Sequence, residues 1–85
     1  MPYSVEVPKS VKRELADLPR QDGERVLAAI RGLADTPRPY GCAKLAGFRD
    51  TYRIRVGVYR VVYEVQDRVL RVLLLMVGHR REVYR

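Results

Sequence analysis

Alternation of apolar and polar residues divides the first half of the chain into one strand and two helices. Residues Tyr3–Val7 alternate with a period of two, which is typical of a half-buried strand. From Ser10 the apolar residues recur with helical spacing until Pro19, and from a predicted N-cap at Asp22 a second helical stripe begins. The two stripes are Val11, Leu15 and Leu18, then Val26, Leu27, Ile30, Leu33 and Ala34. Two helices this close in sequence predict an antiparallel helical hairpin.

The second half of the chain is predicted to be a loop followed by strands. Prolines and glycines between residues 36 and 47 indicate a loop with a short extended piece at Ala43–Leu45. Three apolar segments then predict strands at Tyr52–Val56, Val58–Val65 and Val69–Val77. The order β-α-α-β-β-β predicts an α+β fold, a small, mostly antiparallel sheet with the helical hairpin on one face. We expect one domain that spans residues 1–85.

The first predicted hairpin places three arginines together. If Gly57 and Val58 form a two-residue type II′ turn, Arg55 lies directly opposite Arg60. Because side chains alternate between the faces of a sheet, Arg53, Arg55 and Arg60 share one face, which we call the arginine face. Arg53 and Arg55 are then about 6–7 Å apart along the strand. Like charges placed directly opposite each other destabilise a sheet, so an anion-binding surface is the favoured interpretation and a solvated face the alternative.

The second predicted hairpin extends both faces of the sheet. Pairing Val65 with Leu70 places His79 on the arginine face and gives that face an apolar floor. The floor would consist of Val62, Leu73, Leu75 and Val77, and the opposite face, beneath the helices, would hold Leu70, Val72, Leu74 and Met76.

Charge supports an anionic partner. The 85-residue chain has a net charge of +7, of which residues 43–85 contribute +6, with ten Lys or Arg against four Asp or Glu. Arginine binds phosphate through two donors at once, so a nucleic acid is the favoured partner and an acidic protein is the alternative. One cysteine (Cys42) and one histidine (His79) exclude a disulfide scaffold and a four-ligand zinc site. We expect a cytoplasmic protein with no membrane segment, because the longest apolar run, Val72–Val77, is too short to cross a bilayer.

The C-terminal residues contain groups suited to one reaction. Residues 78–85 carry an imidazole, three guanidinium groups and a phenol. Attack of an RNA 2′-OH on its neighbouring phosphate needs a base, cations around the phosphate and stabilisation of the leaving oxygen, but no metal ion. Taken alone, these residues favour the interpretation of a plain basic tail. Glu14 and Asp17 are predicted to lie on the solvated side of a helix.

The chain resembles the RelE toxins of the RelE/ParE superfamily over its whole length. The matching segments are Lys44-Leu45-Ala46-Gly47, Tyr52-Arg53-Ile54-Arg55, Gly57 to Glu64, and Gly78-His79-Arg80-Arg81-Glu82-Val83-Tyr84. The resemblance implies a type II toxin that enters the ribosomal A site and cuts mRNA, leaving a 2′,3′-cyclic phosphate and a 5′-hydroxyl. It further implies contact with mRNA and rRNA, no cofactor, and a complex with a RelB-like antitoxin that blocks the toxin.

The resemblance also implies roles for individual residues. Arg60 matches the arginine that stabilises the transition-state phosphate, Arg80 the one assigned to the leaving group, and Tyr84 the terminal tyrosine that acts on the attacking nucleotide. The expected substrate-binding residues are Lys44, Arg53, Arg55, His79 and Arg81.

Two of these positions depart from the family pattern. Arg53 and Arg55 stand where the best-known members have lysines, and arginine cannot serve as a base. The base would then be Tyr84, with His79 as the second candidate. Two alternatives remain open, a ParE-like toxin that inhibits DNA gyrase and an inactive module that binds RNA or antitoxin.

Overall fold

The computed structural model describes residues 2–79, which form two helices and one five-stranded sheet. The elements are β1 (Ser4–Glu6), α1 (Lys9–Ala16), α2 (Arg20–Gly32), β2 (Ala43–Lys44), β3 (Thr51–Val56), β4 (Tyr59–Gln66) and β5 (Arg71–His79). The strand order is β1-β5-β4-β3-β2, with β1 parallel to β5 and the other pairs antiparallel. The predicted α+β fold is confirmed, and the short extended piece proves to be the edge strand β2. Neither helix in this part of the chain is long and apolar enough to span a membrane.

The helices cover one face of the sheet, as predicted, and their apolar stripes form the core with it. The buried core residues are Val11, Val26, Ile30, Leu33, Ile54, Val56, Val61, Tyr63, Val65, Val72, Leu74 and Val77. Tyr63 is fully buried, and its hydroxyl donates a hydrogen bond of 2.7 Å to the carbonyl oxygen of Pro37. Burial of a phenol therefore costs little here, because its polar atom has a partner.

The start of α2 differs from the prediction. The helix begins at Arg20 with Pro19 at the N-cap position, so the prediction of Asp22 as N-cap is wrong. Proline suits this position because its fixed φ is compatible with helix entry and it needs no partner for an N–H. Asp22 lies instead in the first turn, where a carboxylate interacts favourably with the helix dipole.

The turn between β4 and β5 shifts the register of the second hairpin. A 3₁₀ turn at Asp67–Val69 is followed by Leu70 in the left-handed region, with φ of 51°. Val65 consequently pairs with Val72, and the predicted pairing of Val65 with Leu70 is wrong. Because the shift is by two residues, Val72 and Leu74 still face the core, whereas Leu70 is exposed.

A bulge in β5 exchanges the two faces beyond Leu74. Tyr63 pairs with Leu74 but Val62 pairs with Met76, so Leu75 is an additional residue in β5. Val77 is consequently buried in the core at 3% exposure, while Met76 lies opposite Val62 and is 39% exposed. The predictions of Val77 in the apolar floor and of Met76 in the core are both wrong for this reason.

Candidate functional site

The three strand arginines share one face of the sheet, as predicted. Val56 pairs with Tyr59 across the Gly57-Val58 turn, and Arg55 pairs directly with Arg60. Gly57 has a φ of +62°, as the first central residue of a type II′ turn requires. Arg53 lies two residues before Arg55 on the same side of β3. The turn residue therefore sets the register that brings these cations together.

Burial differs sharply among the three arginines. Arg60 is only 7% exposed, although it lies on the face that the helices do not cover, whereas Arg53 is half-buried and Arg55 is exposed. On its other side Arg60 pairs with Gly78 of β5, which has no side chain to compete for space. A long side chain held by its surroundings has already lost its rotamer entropy, so Arg60 is preorganised for binding and Arg55 is adaptable.

The charge of this face changes along the strands. Towards the other end of β4, Arg71 lies 3.9 Å from Glu6 and donates through Nε to the side chain of Gln66 at 2.6 Å. Gln66 in turn donates to Glu64 at 2.6 Å. Carboxylates therefore accompany the cation at that end, and the positive potential is concentrated at the end where Arg55 and Arg60 lie. Between the two ends lie the apolar residues Val62, Leu73 and Met76.

His79 lies on the helix side of the sheet, not on the arginine face where the sequence placed it. The bulge pairs His79 with Tyr59, and their rings meet edge to face with centroids 6.1 Å apart. The Tyr59 hydroxyl donates to Asp22 at 2.8 Å, and this hydrogen bond raises the pKa of Tyr59. His79 lines a recess of about 370 Å³ together with Glu14 and Asp17.

The remaining candidate within the described residues, Lys44, does not lie on the arginine face. Lys44 is exposed in the edge strand β2 and pairs with Tyr52, whose side chain faces the helices. Arg80, Arg81 and Tyr84 lie outside the described residues. In the sequence they lie one, two and five positions after His79, the last residue of β5.

A contact between α1 and β5 was missed by the sequence prediction. The backbone N–H of Val77 donates to Oε1 of Glu14 at 2.8 Å, so the prediction of Glu14 on a solvated face is wrong. The strand β1 pairs only with Arg71–Leu73, which leaves the later part of that β5 edge to α1. Glu14 therefore fixes the helix to the strand that ends next to Arg60.

A second polar network holds the loop after α2 against the sheet. Arg38 donates through both terminal nitrogens to Asp67, at 2.8 and 3.3 Å, and through Nε to the hydroxyl of Tyr52 at 2.9 Å. The Tyr3 hydroxyl donates to the same carboxylate at 2.5 Å. The hydrogen bonds from Arg38 and Tyr3 lower the pKa of Asp67. No sequence spacing indicates these contacts, because Tyr3 lies just before β1, Arg38 lies in the loop after α2, and the other partners lie in β3 and in the 3₁₀ turn.

Comparison with known proteins identifies the family of this chain. Residues 5–84 match the family model of the ParE toxin of the type II toxin–antitoxin system parDE. The toxin RelG of Mycobacterium tuberculosis is 32% identical over 90 residues, which cover all of this chain and 99% of RelG. The chain belongs to the RelE/ParE superfamily of toxins from type II toxin–antitoxin systems.

Solved structures show the same fold. The RelE chain of the archaeal RelE–RelB complex from Pyrococcus horikoshii has a TM-score of 0.83 at 33% identity, covering 94% of this chain and 97% of that one. A chain of the RelBE2 toxin–antitoxin complex from M. tuberculosis has a TM-score of 0.80 at 28% identity, covering 93% and 99%.

Proposed function

We propose that this chain is a ribosome-dependent mRNA endoribonuclease, a single toxin domain of residues 1–85 that acts in the cytoplasm. It would cut mRNA in the ribosomal A site by attack of a 2′-OH on the adjacent phosphate, without a metal ion. The observation that carries the proposal is the pairing of Arg55 with the buried Arg60, next to Arg53, at the cationic end of the sheet. Guanidinium groups are well suited to a phosphate that gains negative charge in the transition state.

Each side chain of the proposed site has a separate role in the cleavage reaction. The 2′ oxygen attacks phosphorus and its proton passes to a base. The bond from phosphorus to the 5′ oxygen breaks, and that oxygen takes a proton from water, because an arginine beside it stabilises negative charge but releases no proton. The products are a 2′,3′-cyclic phosphate and a 5′-hydroxyl. We propose that Arg60 stabilises the negative charge that develops on the phosphate and that Arg80 stabilises the negative charge on the leaving 5′ oxygen.

The proposed substrate-binding residues are Arg53 and Arg55 on the arginine face, together with Arg81. Lys44 and His79 are proposed as RNA contacts outside that face, because both lie on the helix side of the sheet.

The base is assigned to Tyr84. Arg53 and Arg55 cannot accept a proton, which leaves Tyr84 and His79 as candidates. Nearby cations stabilise a phenolate, so a tyrosine beside several arginines is a competent base. The position of His79 supports Tyr84, because the imidazole packs against Tyr59 on the other side of the sheet.

We further propose that a RelB-like antitoxin binds this chain and blocks it. The support comes from relatives, since the similar structures from P. horikoshii and M. tuberculosis are toxin–antitoxin complexes. A basic surface on a small chain of net charge +7 is suited to an acidic protein partner.

A gyrase-inhibiting toxin is the second candidate function. The observation that favours it is the matching family model, which describes ParE toxins. The observation against it is the combination of Arg60 with Arg80 and Tyr84, which resembles the RelE nucleases. A chain that has lost activity but still binds RNA or antitoxin is the third candidate.

One experiment separates the three candidates. The purified chain is incubated with ribosomes that hold a defined mRNA, and the mRNA ends are mapped with and without a tRNA in the A site. We expect cuts within the A-site codon, a 2′,3′-cyclic phosphate on the upstream fragment and a 5′-hydroxyl on the downstream fragment. Intact mRNA together with inhibition of gyrase supercoiling would establish the second candidate, and no effect in either assay would leave the third.

A further inference from the structure

The bulge in β5 leaves two large apolar side chains, Leu75 and Met76, exposed at the surface of the sheet. With regular alternation after the buried Leu74, Met76 would face the helices. The additional residue in β5 instead brings Met76 to the arginine face, opposite Val62. Bulges that redirect a side chain in this way are common next to active sites. The bulge therefore determines which side chain of β5 borders the arginines.

Met76 is a near neighbour of Arg60 on this face. Arg60 pairs with Gly78 and Val62 pairs with Met76, so Met76 lies diagonally across from Arg60. Diagonal neighbours in a sheet are about 7–8 Å apart, which is within reach of long side chains. Gly78, which lies directly beside Arg60, adds no side chain between the two.

Two rows of three residues cross the arginine face, one cationic and one mainly apolar. The rows consist of Arg55, Arg60 and Gly78 in the first, and Arg53, Val62 and Met76 in the second. They are two residues apart along each strand, a distance of about 6–7 Å. A phosphate bound in the first row therefore has an apolar surface within the length of one nucleotide.

We propose that Met76 binds a nucleobase of the mRNA, which belongs to one of the two nucleotides joined by the phosphate at Arg60. A nucleotide presents an anion next to a flat aromatic ring, and the two rows offer a partner for each. Proteins that bind single-stranded RNA pack the faces of unstacked bases on side chains. The polarisable thioether of methionine makes favourable contacts with aromatic rings. This inference rests on the nuclease activity proposed above.

The position of Met76 favours RNA over a protein partner as its ligand. The apolar surface of Met76 and Val62 is continuous with the cationic row, so one ligand that contacts both must carry negative charge beside its ring. Methionine is also unbranched and flexible, so it adapts to bases of different shape. A contact of this kind suits an enzyme that must accept more than one mRNA sequence.

The experiment combines a protein variant with the removal of a single base. Ribosomes are programmed with ordinary mRNA or with mRNA that carries one abasic ribonucleotide, which keeps its 2′-OH, on either side of the mapped cleavage position. Met76→Gln replaces the thioether by a polar side chain of similar size. The matched control is Val69→Thr, a similar exchange at an exposed position of the 3₁₀ turn. Both variants should melt cooperatively, and Met76→Ala takes the place of Met76→Gln if that variant does not fold.

The effect of the variant should depend on the presence of the base. We expect Met76→Gln to lower kcat/KM about three- to tenfold on ordinary mRNA. On mRNA that lacks the contacted base, the same variant should change kcat/KM less than about twofold, because the interaction is already absent. Met76→Phe, which offers a larger flat surface, should match or exceed the wild type on ordinary mRNA. Val69→Thr should behave as the wild type on every mRNA.

Each other outcome overturns the inference in a distinguishable way. An equal loss with Met76→Gln on ordinary mRNA and on both abasic mRNAs rejects the base contact, and weaker antitoxin binding by the same variant would then indicate a protein contact. A loss with Met76→Phe as large as that with Met76→Gln indicates a structural role. A wild-type rate for Met76→Gln on ordinary mRNA also rejects the contact. If the wild-type chain cuts no mRNA, the proposed nuclease activity is rejected and this inference with it.

Discussion

Arg55 faces Arg60 directly across the β3–β4 hairpin, so two guanidinium groups branch from neighbouring positions on one face of the sheet. Two like charges in this arrangement reduce the stability of the sheet, and the effect is not removed by burial of Arg60. The arrangement is advantageous when an anion binds between them. The same pair of residues therefore lowers the stability of the free protein and raises its affinity for an anion.

Replacing the exposed member of this pair should stabilise the protein. We expect Arg55→Gln to raise the free energy of unfolding by about 0.2–1 kcal/mol, with a smaller gain at high salt because salt screens the repulsion. The same variant should bind RNA more weakly. Urea unfolding at low and high salt measures the first effect, with Arg68→Gln, an exposed arginine of the 3₁₀ turn, as the control. Equal stabilisation by both variants would show that net charge, and not this pair, is responsible.

Removing the buried member should abolish activity. We expect Arg60→Ala to slow mRNA cleavage on programmed ribosomes by at least about 10²–10³-fold, the typical loss when one transition-state donor is deleted. Arg60→Lys should recover only part of the rate, because lysine keeps the charge but lacks the two-pronged geometry. Antitoxin affinity and cooperative unfolding should be nearly retained. A cleavage rate close to that of the wild type would remove Arg60 from the mechanism.

Comparison of two variants, Tyr84→Phe and His79→Ala, tests the assignment of Tyr84 as the base. Tyr84→Phe should slow cleavage strongly, because the phenol oxygen is the proposed proton acceptor. His79→Ala should have a smaller effect, because His79 contacts Tyr59 on the helix side of the sheet. Single-turnover cleavage rates across a range of pH measure both. If His79→Ala is the more damaging change, the base assignment is wrong.

The first hairpin was predictable from the sequence and the second was not. Gly57 allows the positive φ of a tight turn, and the alternation of apolar and charged residues on both sides fixes which residues share a face. In contrast, Val72–Val77 is a continuous apolar run, so its pattern carries no information about the faces. The sequence therefore gives no indication of the bulge at Leu75, and this bulge determines the face of the sheet on which His79 lies.

Contacts between distant side chains were equally hidden. Glu14 has the spacing of a solvated helix residue. Because β1 is short and pairs with β5 at Arg71–Leu73, the edge of β5 at Val77 is open to the carboxylate of Glu14. Asp22 has a residue type that is common at the N-cap, but the helix begins earlier, after Pro19. The carboxylate of Asp22 instead accepts a hydrogen bond from the hydroxyl of Tyr59. In both cases the residue type indicated a local role, and the tertiary structure provided a different partner.

The buried tyrosine of the core should give the protein a specific sensitivity to alkali. Burial raises the pKa of Tyr63 above its usual value of 10.0, so the folded state holds this proton more tightly than the unfolded state. The stability that follows is fully present below pH 10.0 and is lost as the pH rises above it. Tyr63→Phe should lose about 0.5–1.5 kcal/mol at neutral pH with the hydrogen bond to Pro37.

Above that pH the two proteins should converge. The free energy of unfolding of the wild type should fall more steeply with pH than that of Tyr63→Phe, which has no phenol to ionise at this position. Urea unfolding at a series of alkaline pH values measures the difference. Tyr40→Phe, at an exposed position, is the control and should follow the wild type. Parallel curves for Tyr63→Phe and the wild type would contradict the assignment.

The hydrogen bond from Val77 to Glu14 should anchor the end of β5. A hydrogen bond to a charged group contributes about 1.5–3 kcal/mol, so Glu14→Ala should lower the free energy of unfolding by that amount. Glu14→Gln keeps an acceptor oxygen and should recover part of the loss. The control is Glu24→Ala, because the carboxylate of Glu24 is exposed and its ion pair with Arg20 within α2, at 3.9 Å, contributes little to stability.

In Glu14→Ala, hydrogen exchange of the Val77 amide should accelerate more than that of Val72, which lies deeper in the sheet. Because Gly78 pairs with Arg60, a loosened end of β5 should also reduce mRNA cleavage, even though Glu14 is on the opposite side from the arginine face. Loss of stability without faster exchange at Val77 would show that Glu14 acts through α1 alone.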